Sequence, residues 1–272
     1  MVESTTTMDR LDLPHLRTLL AIHSFGRELI YLPRVGSTND VLKESARQGA
    51  PEGTVAVTDE QTAGRGRLGR RWLAPANTCI LCSILFRPRL APAQTQRLTM
   101  LCALAAADAI EKTTGLHVWL KWPNDLIVKS QCWKKLGGIL PETGIAGEQV
   151  SFAIVGIGIN ANVGRRALPA LDQNATSILA ESGRPTERAA LLAALLAGIE
   201  QRYTALQAGE SPHQEWASRL ATLGQRVEAS TAQETLTGVA ESVDEDGALL
   251  LRVPDGTLHR LVVGDVTLKQ SP

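Results

Sequence analysis

Gly64-Arg65-Gly66-Arg67-Leu68-Gly69-Arg70-Arg71-Trp72 has the G-x-G-x-x-G spacing of a dinucleotide-binding turn, and whether it is one decides the fold. Such a turn leads from a strand into a helix whose N-terminus takes the pyrophosphate. Here the glycines lead into Arg70-Arg71-Trp72 and then an apolar β run at Cys79–Phe86, so no helix receives the phosphates. A second match, Gly156-Ile157-Gly158-Ile159-Asn160-Ala161, runs into Asn162-Val163-Gly164-Arg165-Arg166 and fails in the same way. A doubly wound nucleotide fold is therefore set aside. The first stretch is instead a loop in which four arginines alternate with three glycines. Glycines let backbone N–H groups approach a ligand, and guanidinium forks match carboxylate and phosphate oxygens. Trp72 adds a face for stacking a ring. A solvated basic loop is the plain alternative.

Working outward, Thr54–Thr58 and Cys79–Phe86 read as strands on either side of this loop. Upstream, Pro14 to His23 reads as a helix with Leu16, Leu19 and Leu20 on one face. Ser37-Thr38-Asn39-Asp40 has the form of a capping box before Val41–Gln48, with Gly49 as the stop. Downstream, Pro92 opens a long helix to Thr114 that ends at Gly115. His117–Trp122, Leu126–Val128, Leu136–Leu140 and Gln149–Ile157 read as largely neighbouring strands, and Thr186–Leu206 as a second long helix with Thr186 as its cap. Ser211 and Pro212 start a short helix ending near Gly224. Helices and strands in unequal blocks predict an α+β fold.

After Gly224 the texture changes to short strands at Arg226–Ala229, Thr235–Glu241, Ala248–Val253, Leu258–Val263 and Val266–Lys269. Asp246-Gly247 and Asp255-Gly256 turns punctuate them, which predicts a small β-barrel or sandwich. The domain boundary is thus placed between 1–223 and 224–272. This tail lacks the Arg, Lys, Asn and Gly clusters found upstream, so it reads as docking or lid support and not as chemistry.

The chain has 272 residues, 44% hydrophobic and 21% charged, with 28 Lys+Arg against 28 Asp+Glu. A zero formal charge excludes gripping nucleic acid through the whole surface, which needs an excess of cations. Met1–Arg10 lacks a signal-peptide core, and no apolar run approaches the roughly 18 residues that span a bilayer. Cys79 and Cys82 lie in an apolar run with no second pair, while Cys102 and Cys132 stand alone. All four read as reduced thiols in a cytoplasmic protein, the first three buried and Cys132 in a loop.

Other clusters carry function-type residues. Lys121-Trp122-Pro123-Asn124-Asp125-Leu126 places a cation, an amide and a carboxylate at a strand end, or else forms a hairpin turn in which Lys121 pairs with Asp125. In Lys134-Lys135-Leu136-Gly137-Gly138-Ile139-Leu140, alternation sends the two lysines to opposite faces, so only one can enter a site. Gly156 and Gly158 remove side chains from a strand, for tight packing or for a ligand pressed against it.

Gly36-Ser37-Thr38-Asn39, Gln61 through Trp72, Lys121 through Leu126, Lys135 through Leu140 and Gly156 through Asn160 follow one another in this order. The chain so resembles the biotin protein ligases, from about Leu32 to Asn162 and more faintly through Ala175-Thr176-Ser177. The resemblance implies a catalytic domain like the class II aminoacyl-tRNA synthetases with a mixed sheet, followed by a small barrel like Src-homology-3, which by the same resemblance also helps organise ATP binding. It implies an ATP-dependent ligase that makes biotinyl-5′-AMP with Mg2+ and passes biotin to a lysine of a biotin carboxyl carrier protein of acetyl-CoA or other carboxylases. A monomer or weak homodimer is implied, with neither nucleic acid nor membrane as partner. About 35 residues precede Gly36, which leaves no room for the winged helix of the family's regulatory members, so the monofunctional type is expected.

By the same resemblance, Ser37, Thr38, Asn39 and Gln61 contact the ureido ring, and Gly64, Arg65 and Arg67 complete the biotin pocket with Lys135, Gly138, Gly156 and Gly158. Arg65, Arg67, Arg70, Lys135 and magnesium supply charge to the reacting phosphate. Trp72 covers adenine and Asn160 meets its edge, with Lys121 and Asn124 on the nucleotide. Arg67, Lys135 and Asp125 are the catalytic candidates, Asp125 as steering group or base for the acceptor amine. Pro141 departs from the family's usual apolar residue, so the strand is expected to end there or to lie on an edge. A lipoate ligase of the same fold and a non-enzymatic nucleic-acid or interaction module are the alternatives.

Overall fold

The computed structural model describes residues 10–147, 149–231, 234–262 and 264–268. Residues 1–9, on which the absence of a leader was read, and Lys269 lie outside them. Seven strands form one sheet: β1 (Leu29–Val35), β2 (Val55–Gln61), β3 (Cys79–Phe86), β4 (Trp119–Lys121), β5 (Asp125–Lys129), β6 (Trp133–Ala146) and β7 (Gln149–Asn160). Their order is β1-β2-β3-β7-β6-β5-β4. Only β1 and β2 pair in parallel; every other neighbour is antiparallel, so the sheet is mixed as expected.

Alternation along β3 sorts the layers. Ile80, Cys82, Ile84 and Phe86 enter the main core with α1 (Leu13–Leu19), α3 (Gln96–Thr114) and α5 (Arg188–Gln207). Leu85 faces the opposite side beneath α2 (Thr38–Arg47), while Cys79 and Leu81 join a third cluster beside Trp72 and α4 (Ile178–Ser182). Cys79 and Cys82, three apart on a strand, therefore point to opposite faces and cannot share a metal or a disulfide. Both are free thiols, pushed up to about 11 and about 12 by burial. No helix among the described residues is long and apolar enough to cross a membrane.

Several local expectations need correction. The first helix ends at Leu19, short of His23, with Asp12 as its cap. Ser37 occupies the cap of α2 but makes no side-chain cap bond, so there is no capping box. Pro92 opens a 3-10 turn ahead of α3, and Glu187, not Thr186, precedes α5. Strand β1 was missed because Pro33 and Arg34 break its apolar run; as an edge strand it tolerates both.

Pro141 does not end β6, which continues to Ala146. Ile139 N–H donates to Asn124 O on the β5 side, so the backbone nitrogen two residues on points the same way. There the β5 ladder has already stopped at Asp125↔Gly138, and the missing donor falls on a local edge.

Five antiparallel strands, β8 (Arg226–Ser230), β9 (Thr235–Val243), β10 (Leu249–Arg252), β11 (Leu258–Leu261) and β12 (Asp265–Leu268), make a second sheet ordered β11-β10-β9-β8-β12. It sits against the first unit through Trp122, fully buried, whose indole N–H donates to Gly247 O at 2.8 Å. Gly247 has φ +84 and lies so close to Met100 that a Cβ would come within 2.7 Å of it. Arg97 and Asp246 pair beside this contact.

Candidate active site

One cavity opens on the α2 face of the large sheet. Ser37, Thr38 and Asn39 bring the N-terminus of α2 to it, Gln61 the end of β2, and the arginine loop crosses above. Asn124, Asp125, Lys135, Gly138, Gly156, Gly158 and Asn160 come from the β5–β7 side. Sequence positions as distant as 37 and 160 thus meet in one place. Gly64 and Lys121 do not line it. Gly64 is needed for the loop itself: its carbonyl takes the Trp72 N–H at 2.9 Å, and a Cβ would stand 2.6 Å from Trp72 O. Lys121 lies across from Asp125 in the hairpin, but the Asp125 carboxylate turns to Lys135, with Nζ 2.6 Å from Oδ1. The plain hairpin pairing of Lys121 with Asp125 is thereby replaced. Lys134, on the other face, does not line the cavity.

The floor is polar and ordered. Thr38 N–H donates to Gln61 Oε1 at 2.9 Å, and Thr38 Oγ1 lies 3.2 Å from the same oxygen. Ser83, which the sequence reading missed, sits beneath them with Oγ 2.7 Å from Thr38 Oγ1 and 2.6 Å from Asn39 Oδ1. The two strand glycines serve these side chains. A Cβ on Gly156 would overlap the Asn39 carboxamide, and one on Gly158 would come 2.6 Å from the Trp72 indole. Close packing of Asn39 and Trp72 on the strand therefore explains both.

The arginines divide by partner. Arg65 forks Asp40 with bonds of 2.6 and 2.7 Å and also reaches Glu142, so its guanidinium anchors the loop to α2 and is not a free phosphate cation. These bonds raise its pKa above the usual arginine range. Arg67 donates to Gly264 O at 3.0 Å, and its burial lowers its pKa. Arg70 pairs with Asp265, and both line the cavity. The C-terminal sheet therefore supplies a carboxylate to the cavity, which favours a share in the nucleotide site over docking or lid support alone; nothing in its alternating sequence marked Asp265.

Trp72 Nε1 is buried with no hydrogen-bond partner among the described residues. Lys135 Nζ lies 5.8 Å from the Trp72 ring. Asn124 Nδ2 is bonded to Ile139 O at 2.5 Å. Asn160 Nδ2 is bonded to Thr176 O and its Oδ1 accepts from the Cys79 thiol, so this cavity-lining amide braces the scaffold with one donor and one acceptor. Thr176 N–H donates to Lys135 O, which brings the Ala175–Ser177 segment alongside Lys135. No cluster of three or more metal-ligating side chains occurs among the described residues.

Residues 31–160 match the model of the biotin/lipoate A/B protein ligase family, and residues 222–269 that of the biotin protein ligase C-terminal domain. The bifunctional ligase/repressor BirA of Bacillus spizizenii is 34% identical over 95% of this chain and 79% of its own. The biotin–[acetyl-CoA-carboxylase] ligase of Mycobacterium tuberculosis is 31% identical over 91% of each. Among solved structures, the biotin protein ligase of Aquifex aeolicus in complex with biotin and ATP superposes with a TM-score of 0.74 at 29% identity, covering 90% of this chain and 100% of that one. On the strength of these matches, the chain belongs to the biotin protein ligase family.

Proposed function

We propose that the protein activates biotin with ATP as biotinyl-5′-AMP and transfers biotin to a lysine of a biotin carboxyl carrier protein of acetyl-CoA or another carboxylase. The observation that carries this is the convergence of the α2 terminus, Gln61, the arginine loop, Lys135 and the glycine strand on a single cavity. In the first step a biotin carboxylate oxygen bonds to the α-phosphorus while the bond to the pyrophosphate oxygen breaks. Like charges approach and charge accumulates on the phosphate, so preorganised cations are the largest available aid. Lys135, Arg67 and Arg70 suit this task, with the Arg65 fork holding the loop that carries the latter two. Ser37, Thr38, Asn39 and Gln61 serve the ureido ring and Trp72 the adenine.

In the second step the acceptor lysine must be neutral. From a reference pKa near 10.4, deprotonation at pH 7 costs about 4.6 kcal/mol. Asp125 is the carboxylate for steering that amine and, while Lys135 holds it, for keeping Lys135 aimed at the cavity. Magnesium fits this site as an ion carried by the triphosphate, with Asn124 and Asp125 as neighbouring oxygen donors, since magnesium keeps to phosphates and a carboxylate or two. It would supply charge neutralisation there.

The C-terminal strands are taken as a Src-homology-3-like barrel, residues 224–272, after a catalytic domain of residues 1–223; their short antiparallel succession supports this. A cytoplasmic monomer or weak dimer with no nucleic-acid partner is in keeping with free thiols and zero formal charge. Pyrophosphate exchange measured with biotin and with lipoate tests the reading. Exchange is expected with biotin alone, followed by label transfer to a carrier domain; exchange with lipoate alone overturns it.

A further inference from the structure

Behind the cavity floor, β6 carries a carboxylate that the roles above do not use. Glu142 Oε1 accepts from Lys43 Nζ at 2.7 Å, Oε2 accepts from Asn39 Nδ2 at 2.5 Å, and Arg65 Nη2 stands 3.3 Å from Oε2. Asn39 and Lys43 are four apart on α2 and so share one helix face. Burial pushes the Glu142 carboxyl up, but the Lys43 and Asn39 bonds and the charges of Lys43 and Arg65 hold it below its ordinary value. It is therefore ionised at neutral pH and can only accept.

A carboxamide can sit either way round, yet only its NH2 end can face an ionised carboxylate. With that end toward Glu142, the second Asn39 N–H lies 3.4 Å from Leu140 O, and Oδ1 turns to Ser83, which donates to it at 2.6 Å. Ser83 has a single proton; given to Asn39, it makes Thr38 Oγ1 the donor across their 2.7 Å contact. Both Asn39 donors are consumed, so what Asn39 offers a ligand is an acceptor.

We propose that Glu142 is a positioning residue that sets the donor–acceptor sense of the floor, fixing Asn39 with its oxygen toward the ligand so that the site selects a ring bearing N–H donors. This rests on the proposed function, in which that ring is the cyclic urea of biotin. Loss of the charge lets the amide turn over and present its NH2 group instead.

Biotin binding to the full chain is measured by calorimetry beside analogues in which either ureido nitrogen is methylated, with thermal unfolding in parallel. E142Q is expected to weaken biotin about tenfold or more while the methylated analogues lose far less, so discrimination falls toward unity. N39D/E142Q restores an acceptor facing the cavity, because the amide introduced on β6 then donates to an acceptor-only carboxylate on α2; most of the discrimination should return. K43M keeps the carboxylate and should keep the discrimination, which tests the idea even where E142Q fails to fold. Collapse of discrimination in K43M, or biotin affinity within twofold of wild type in E142Q, overturns the inference. So does a parallel loss for all ligands that the double substitution fails to recover. A wild-type chain that binds no biotin overturns the proposed function as well, whereas one that binds beside an indifferent E142Q overturns this inference alone.

Discussion

Arg67 and Lys135 differ in what their removal should do, because their partners differ. Arg67 reaches Gly264 O from a loop, so Arg67→Ala should abolish biotin-dependent pyrophosphate exchange while lowering unfolding free energy by only about 1 kcal/mol, the net worth of one hydrogen bond. Exchange near wild type would refute the assignment of Arg67 to the phosphate. Lys135→Ala should remove exchange too, and Lys134→Ala should leave it within about twofold, since alternation along β6 puts the two side chains on opposite faces. The presence of Arg67, Lys135 and Asp125 was legible as motifs. Their pairing was not: the carboxylate that meets Lys135 is Asp125, and Arg65, counted from sequence as a phosphate cation, is held by Asp40.

At the level of elements, the Lys121–Leu126 motif divides between two tasks. Asn124 and Asp125 line the cavity, whereas Trp122 turns away into the joint with the C-terminal sheet. Its backbone N–H also bonds to Thr222 Oγ1 at 3.0 Å. Trp122→Ala should therefore cost about 3–5 kcal/mol, in line with removal of a buried aromatic, read by urea unfolding. The element boundaries were readable wherever periodicity or a left-handed glycine marked them, as at Gly115, φ +72, where α3 stops as expected. Strand β1 escaped because edge strands need no unbroken apolar run.

On the scale of the whole molecule, the C-terminal sheet takes part in the site through Asp265 and Gly264. Asp265→Asn should then slow pyrophosphate exchange as well as transfer to the carrier; a defect confined to transfer would return the sheet to a docking role. Asp40 and Glu142 both have depressed carboxyl pKa values, Asp40 chiefly through the Arg65 bonds and Glu142 by the Lys43 and Asn39 bonds overcoming burial. A depressed native value means the unfolded chain takes up protons first, so this stability is whole above the ordinary carboxylate range and drains as pH falls through the native values. The unfolding free energies of wild type and E142Q should differ by about 1–3 kcal/mol at pH 7 and draw together as the pH falls below the ordinary carboxylate range.

Sequence alone determined most of the succession of elements, the five-strand tail, the exclusion of a dinucleotide turn and the segments that carry the chemistry. These follow from side-chain periodicity and turn residues acting over a few positions. Only the tertiary structure decided which charges are free and which are committed. Asn39 meets Glu142 across 103 positions and Arg67 meets Gly264 across 197, and such partners depend on where strand register and sheet order return the chain. A hydrogen bond needs its atoms within about 3 Å, and no local pattern encodes that distance between segments so far apart.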